Sequence, residues 1–105
     1  MIEIVKLIRN GKSPFDERFK KIKDHRAKSR ITARLTRVAM GGFGECRQLD
    51  EKLFELKIDV GAGWRVYFTK QGEQVVLLML VGDKTQQIKD IKEVRNWINE
   101  LDSAN

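Results

Sequence analysis

The amino-acid sequence predicts an α+β domain, and three observations carry that prediction. An apolar stripe at helical spacing runs through residues 27–38, strict alternation takes over in 54–68, and helical spacing returns from about residue 86 to 101. Helical and strand segments are therefore segregated along the chain, with strands close enough in sequence to pair as antiparallel hairpins. At 105 residues, a single domain spanning 1–105 holds the one core that the chain can build.

Each element follows from its residues. Ile2 to Leu7 mixes apolar and charged residues in an extended pattern and reads as a short first strand. The run Asn10-Gly11-Lys12-Ser13-Pro14 is a turn that ends in a helix start. Ser13 is the N-cap, Pro14 takes the first helical position, and Asp16 and Glu17 fill the first turn. Phe15, Phe19 and Ile22 form the apolar side of this helix. Asp24 caps a second helix whose inner stripe is Ala27, Ile31, Leu35 and Val38, and Gly41-Gly42 ends it. The two helices make an αα-hairpin.

Phe43 to Leu49 adds a short edge strand. Phe54, Leu56, Ile58 and Val60 then alternate with Glu55, Lys57 and Asp59, and after Gly61-Ala62-Gly63 the residues Trp64, Val66 and Phe68 alternate with Arg65, Tyr67 and Thr69. Gln71-Gly72 turns the chain into Val75–Val81, which lacks alternation and predicts a central strand covered on both faces. The last helix, from about Gln86 to Leu101, presents Ile88, Ile91, Val94, Ile98 and Leu101 on one side. The predicted order is β-α-α-β-β-β-β-α, with a two-helix hairpin on a small twisted antiparallel sheet and a C-terminal helix.

Composition narrows the partners. Twenty-one Lys and Arg against 15 Asp and Glu leave a net charge of +6, which favours a polyanion, with nucleic acid first. The longest apolar run, Val75–Val81, is too short to cross a bilayer, and Met1 is followed by Glu3 and Lys6 rather than by a secretory leader. A cytoplasmic protein without a membrane partner is expected. Cys46 stands alone and no Cys/His cluster offers a metal site, so neither metal nor cofactor is expected.

Three constellations could carry chemistry. A three-residue Gly61–Gly63 loop sets Val60 opposite Trp64, Ile58 opposite Val66 and Leu56 opposite Phe68. The other face then carries Asp59 opposite Arg65, Lys57 opposite Tyr67 and Glu55 opposite Thr69. Lys57, Arg65 and Tyr67 become neighbours able to hold a phosphodiester, with the tyrosine stacking on a base. The same pattern also fits a solvated sheet face with cross-strand charge pairs. On the second helix, Arg26, Arg30, Arg34 and Arg37 recur opposite the apolar stripe with no acid among them, a row suited to phosphates or else an exposed charged face. Finally, the loop Val81–Gln87 ends the central strand, where Lys84 can reach the hairpin and Asp83 or Thr85 can cap the helix. His25, the one histidine, reads as a surface residue, and Gly41, Gly42 and Gly44 lie helix-to-strand, the reverse of a phosphate-binding loop.

Several blocks of this chain resemble a known family. Asp24–Leu35, Gly41–Cys46, Phe54–Ile58, Gly61–Phe68 and Leu80–Gln87 are similar, in order and spacing, to blocks of the HigB-like addiction module killer proteins of the RelE/ParE toxin superfamily. The resemblance covers Phe15 to Leu101 and implies a RelE-like fold, a cognate antitoxin that wraps the toxin, and a target in the ribosomal A site. It implies a type II toxin that acts as a ribosome-dependent endoribonuclease, an mRNA interferase. Such enzymes cut messenger RNA without metal, the 2′-hydroxyl attacking the adjacent phosphate. By position, Arg65 matches the arginine of the Gly-aromatic-Arg motif and implies phosphate stabilisation. Lys57 matches a lysine that positions or activates the 2′-hydroxyl, and Lys84 matches a basic residue proposed to protonate the leaving oxygen. Tyr67, Arg26, Arg30, Arg34 and Arg37 are substrate-contact candidates from the residues alone. The chain departs from the mRNA-cleaving branch in having Asp90 near the place of a base-stacking tyrosine and Glu55 where that branch has a lysine. Two alternatives stand beside the nuclease: a ParE-like poison that binds DNA gyrase and cleaves nothing, and a non-toxic basic RNA-binding module.

Overall fold

A computed structural model describes residues 1–103. Strand β1 (Glu3–Lys6) leads into helix α1 (Pro14–Phe19) and helix α2 (His25–Ala39). Strands β2 (Cys46–Gln48), β3 (Phe54–Ile58), β4 (Trp64–Lys70) and β5 (Val75–Asp83) follow, and a 3-10 turn at Lys84–Gln86 runs into helix α3 (Gln87–Ser103). The class is α+β, and five strands form one sheet in the order β1-β5-β4-β3-β2.

The sheet is mixed, which corrects the antiparallel expectation. β1 runs parallel to β5 (Glu3 opposite Val75), whereas the other neighbours are antiparallel. After β1 the chain passes through both helices, enters the sheet at its far edge with β2, and steps back strand by strand to β5. Everything between β1 and β5 thus serves as the long connection that a parallel pair requires.

Helices cover both faces. α1 and α2 pack on one side, where Phe15, Ala27, Ile31 and Val38 meet Leu56, Ile58, Val66 and Phe68. On the other side Val94, Trp97 and Ile98 of α3 meet Leu53, Tyr67, Met79 and Leu80. This double cover explains the unbroken apolar run of β5. A bulge opposite Tyr67 and Phe68 adds to it, because Met79 and Leu80 both face α3 while Leu78 and Val81 face α2.

Local signals account for most boundaries. Ser13 Oγ accepts from the Asp16 amide, Asp24 Oδ1 from the amides of Arg26 and Ala27, and Asp83 Oδ1 from that of Thr85. α1 stops at Phe19, so Ile22 reaches the core from the connection rather than from the helix. In α3 the inward side differs from the expected stripe. Asp90 is buried, and at about 100° per residue Ile88 then points away, 89% exposed, while Trp97 turns inward.

The hairpin register also differs. Lys57 pairs with Arg65, Glu55 with Tyr67 and Leu56 with Val66, so the β3–β4 connection spans residues 59–63 rather than Gly61–Gly63. Gly61 and Gly63 supply the left-handed turns at φ 55° and 80°. The slip is two residues, an even number, so every side chain keeps its expected face.

Candidate functional site

On the α3 side of the sheet the helix starts only at Gln87, leaving β3 and the first part of β4 uncovered at one end. The gap is a cleft of about 400 Å³ lined by Glu45, Arg47, Glu55, Lys57, Arg65 and Gln87, with Cys46 at its rim. Lys57 and Arg65 face one another directly across β3 and β4. The expected polar surface is thus a walled cleft with a buried floor.

Arg65 forms that floor. It is 6% exposed, its Nη1 donates to the Trp64 carbonyl at 3.2 Å, and its Nε has no hydrogen-bond partner. The Nε atom is itself buried, with Glu55 the nearest carboxylate, but a guanidinium that lines a cleft and makes one hydrogen bond from Nη1 has terminal donors left for an anionic acceptor. Glu55 lies beside it, its Oε1 3.9 Å from Arg65 Nε, and is held by Arg47 Nη2 (3.2 Å) and Gln87 Nε2 (2.8 Å). Three cations then face two carboxylates, Glu45 and Glu55.

Lys84 joins from the 3-10 turn. Its amide donates to the Gly63 carbonyl at 2.7 Å. A Cβ added at Gly63 would lie 3.6 Å from Lys84 Cβ and 3.9 Å from Arg65 Nη1, so the lysine and the arginine flank one glycine. The structure therefore pairs Lys57 with Arg65 in the cleft and sets Lys84 beside Arg65, outside the cleft lining itself. Glu55, Arg47 and Gln87 went unselected in the sequence. The i, i+2 relation of Glu55 to Lys57 was a usable signal for the first, but the others depend on how β2 and α3 dock.

Two expected contact residues are corrected. Tyr67 has no exposed surface, because α3 packs over it, so it cannot stack on a base. Its hydroxyl has no partner of hydrogen-bonding geometry, and burial, reinforced by the Glu55 carboxylate, holds its pKa far above the ordinary phenolic range. Arg34 is not part of a free phosphate row. Its guanidinium donates to the carbonyls of Lys57 (2.7 Å), Phe43 (3.0 Å) and Glu45 (3.1 Å), tying α2 to the strand that carries Lys57.

Arg26, Arg30 and Arg37 are exposed on α2, on the opposite side of the sheet from the cleft. Arg34→Ala should therefore lower unfolding free energy by about 2–3 kcal/mol in urea denaturation, as expected for lost hydrogen bonds to a charged donor. Arg30→Ala should stay within about 0.5 kcal/mol. The reverse order would contradict the structural role assigned to Arg34.

The other candidates are quickly placed. His25 is exposed, and Cys46 is half-buried with its thiol pKa pushed up by burial, so it is poorly suited to act as a nucleophile. Asp90 is fully buried in an ion pair with Arg18 rather than standing at the cleft mouth. No helix among the described residues is long and apolar enough to cross a membrane.

No protein-family model matches the chain. An uncharacterized protein of Haemophilus influenzae is 42% identical to it over 87 residues, which cover 83% of this chain and 88% of that protein.

Proposed function

This chain belongs to one family with that Haemophilus influenzae protein, and from the chemistry of its cleft we propose that it is a cytoplasmic RelE-like toxin that cleaves messenger RNA on the ribosome. The observation that carries the reading is the Lys57–Arg65 pair, set across two strands in the lining of one cleft, with the guanidinium making a single hydrogen bond to the protein. A phosphodiester seated there meets Arg65 from below and Lys57 from the side. As the 2′-oxygen attacks phosphorus and the P–O5′ bond breaks, negative charge grows on the non-bridging oxygens, where these cations stabilise it.

Glu55 is the carboxylate at hand to take the 2′-hydroxyl proton, and Lys84 the ammonium on the side of the leaving oxygen. The products are a 2′,3′-cyclic phosphate and a new 5′-hydroxyl. A cognate antitoxin is the expected partner, and rRNA phosphates are the expected partners of Arg26, Arg30 and Arg37. The cationic lining of the cleft favours this reading over a gyrase poison, which needs no such cleft.

Added to ribosomes translating a defined message, the protein should create new 5′-hydroxyl ends, mapped by primer extension. Lys57→Ala should slow their appearance by about 10²-fold, the loss typical of removing a general acid–base or positioning group. Messages that stay intact with the unaltered protein would refute the proposal.

A further inference from the structure

Among the described residues, the ion pair with the most hydrogen bonds lies outside the cleft. Arg18 of α1 donates from Nη2 to Asp90 Oδ1 at 3.0 Å and from Nη1 to Asp90 Oδ2 at 3.1 Å, a two-pronged ion pair. The same Nη1 also reaches the Val81 carbonyl (3.2 Å) and Gln86 Oε1 (2.8 Å). Asp90 has no exposed surface. Arg18 and Asp90 come from helices on opposite faces of the sheet, and they meet beyond the end of β1, which pairs only with residues 75–78 of β5. The meeting point lies over Gly82. A Cβ added there would collide with Asp90 Oδ2 and sit 2.9 Å from Arg18 Nη1. Gly82 is also the strand partner of Arg65.

One short segment hangs between this pair and the cleft. Gln86 is gripped by Arg18, Gln87 holds Glu55, and Lys84 is bonded through its amide to Gly63 beside Arg65. We infer that the Arg18–Asp90 pair positions the cleft: it sets the 84–87 turn so that Gln87 meets Glu55 and Lys84 meets Arg65. Arg18 and Asp90 are positioning residues, since they line no part of the cleft themselves. The functional importance of this role rests on the reading of the cleft as a phosphodiester site, whereas the mechanical role does not. The geometry follows from general rules: a two-pronged guanidinium–carboxylate pair has directional bonds, and a fully buried carboxylate cannot wander to another partner without stranding its charge.

Gly82→Ala is the sharpest test, because it moves the pair without removing any charge. Asp90 Oδ2 and Arg18 Nη1 both lie too close to that Cβ, so the pair itself must shift. The probe is adenosine 3′-monophosphate, followed by NMR on the 15N-labelled full chain. In the unaltered protein the amide signals of Lys57, Arg65 and Lys84 should move along one saturation curve. In Gly82→Ala, binding should weaken about tenfold and the Lys84 and Gln87 signals should cease to follow, while Lys57 and Arg65 still respond. A pair that only stabilises the fold would lower the melting temperature and leave Lys84 on the common curve, and that result overturns the inference.

Amide hydrogen exchange supplies an arm independent of any ligand. Residues 84–90 should exchange at least tenfold faster in Gly82→Ala while β3 and β4 keep their protection, and unchanged exchange there also overturns the inference. A nucleotide that fails to move Lys57 and Arg65 in the unaltered protein defeats the cleft reading, while the exchange arm still decides the role of the pair. Should Gly82→Ala not fold, Arg18→Lys keeps the charge, loses the fork and carries the same expectations.

Discussion

Arg65→Ala should reduce ribosome-dependent cleavage by about 10²–10³-fold, the loss typical of removing one preorganised donor to a developing oxyanion. The arginine donates to one backbone carbonyl only, and Glu55 keeps its bonds to Arg47 and Gln87 when it is gone. The fold should therefore survive, which circular dichroism checks. Arg65→Lys restores a charge but not the planar fork, so its rate should fall between the two. The rate of new 5′-end formation at saturating protein is the measurement. An alanine variant as fast as the unaltered chain would remove Arg65 from the mechanism.

The largest effect on stability is expected at Arg18. Arg18→Ala leaves Asp90, with no exposed surface, as a buried charge stripped of its partner. Breaking a buried pair in this way costs about 3–5 kcal/mol, and at about 4–8 °C per kcal/mol the melting temperature should drop by more than 10 °C. The double variant Arg18→Met with Asp90→Leu removes both charges at once and should recover much of the loss. A single variant that melts within a few degrees of the unaltered protein would show that Asp90 finds another partner.

The contrast between these residues explains what could be read without coordinates. Parity along a strand is a local property, so Lys57 and Arg65 were assigned to one face although the pairing slipped by two residues. Helix starts at Ser13 and Asp24 were legible because a cap is a matter of three or four neighbouring residues. Arg34 shows the opposite case. In the sequence it is one of four arginines at helical spacing, and only the path of residues 43–45 and β3 past α2 reveals the three carbonyls waiting for it.

Tyr67 failed for a related reason, since alternation states which face a side chain takes but not whether a distant helix lies over that face. Asp90 and Gly82 were opaque too. Asp90 pairs with Arg18 across 72 residues, no periodicity encodes a contact between two helices on opposite faces of a sheet, and the need for a glycine at position 82 follows from that contact.

The parallel pairing of the first strand has a consequence for biogenesis. Glu3 must wait for Val75, and Lys6 for Leu78, before either finds its place. Residues 3–6 are thus among the last to be locked, once residues 75–78 have been made. Contacts so far apart in sequence carry the loop-closure penalty that slows folding. Until β5 emerges, β1 therefore keeps its backbone hydrogen-bonding groups unpaired, open to any other extended segment that reaches it first.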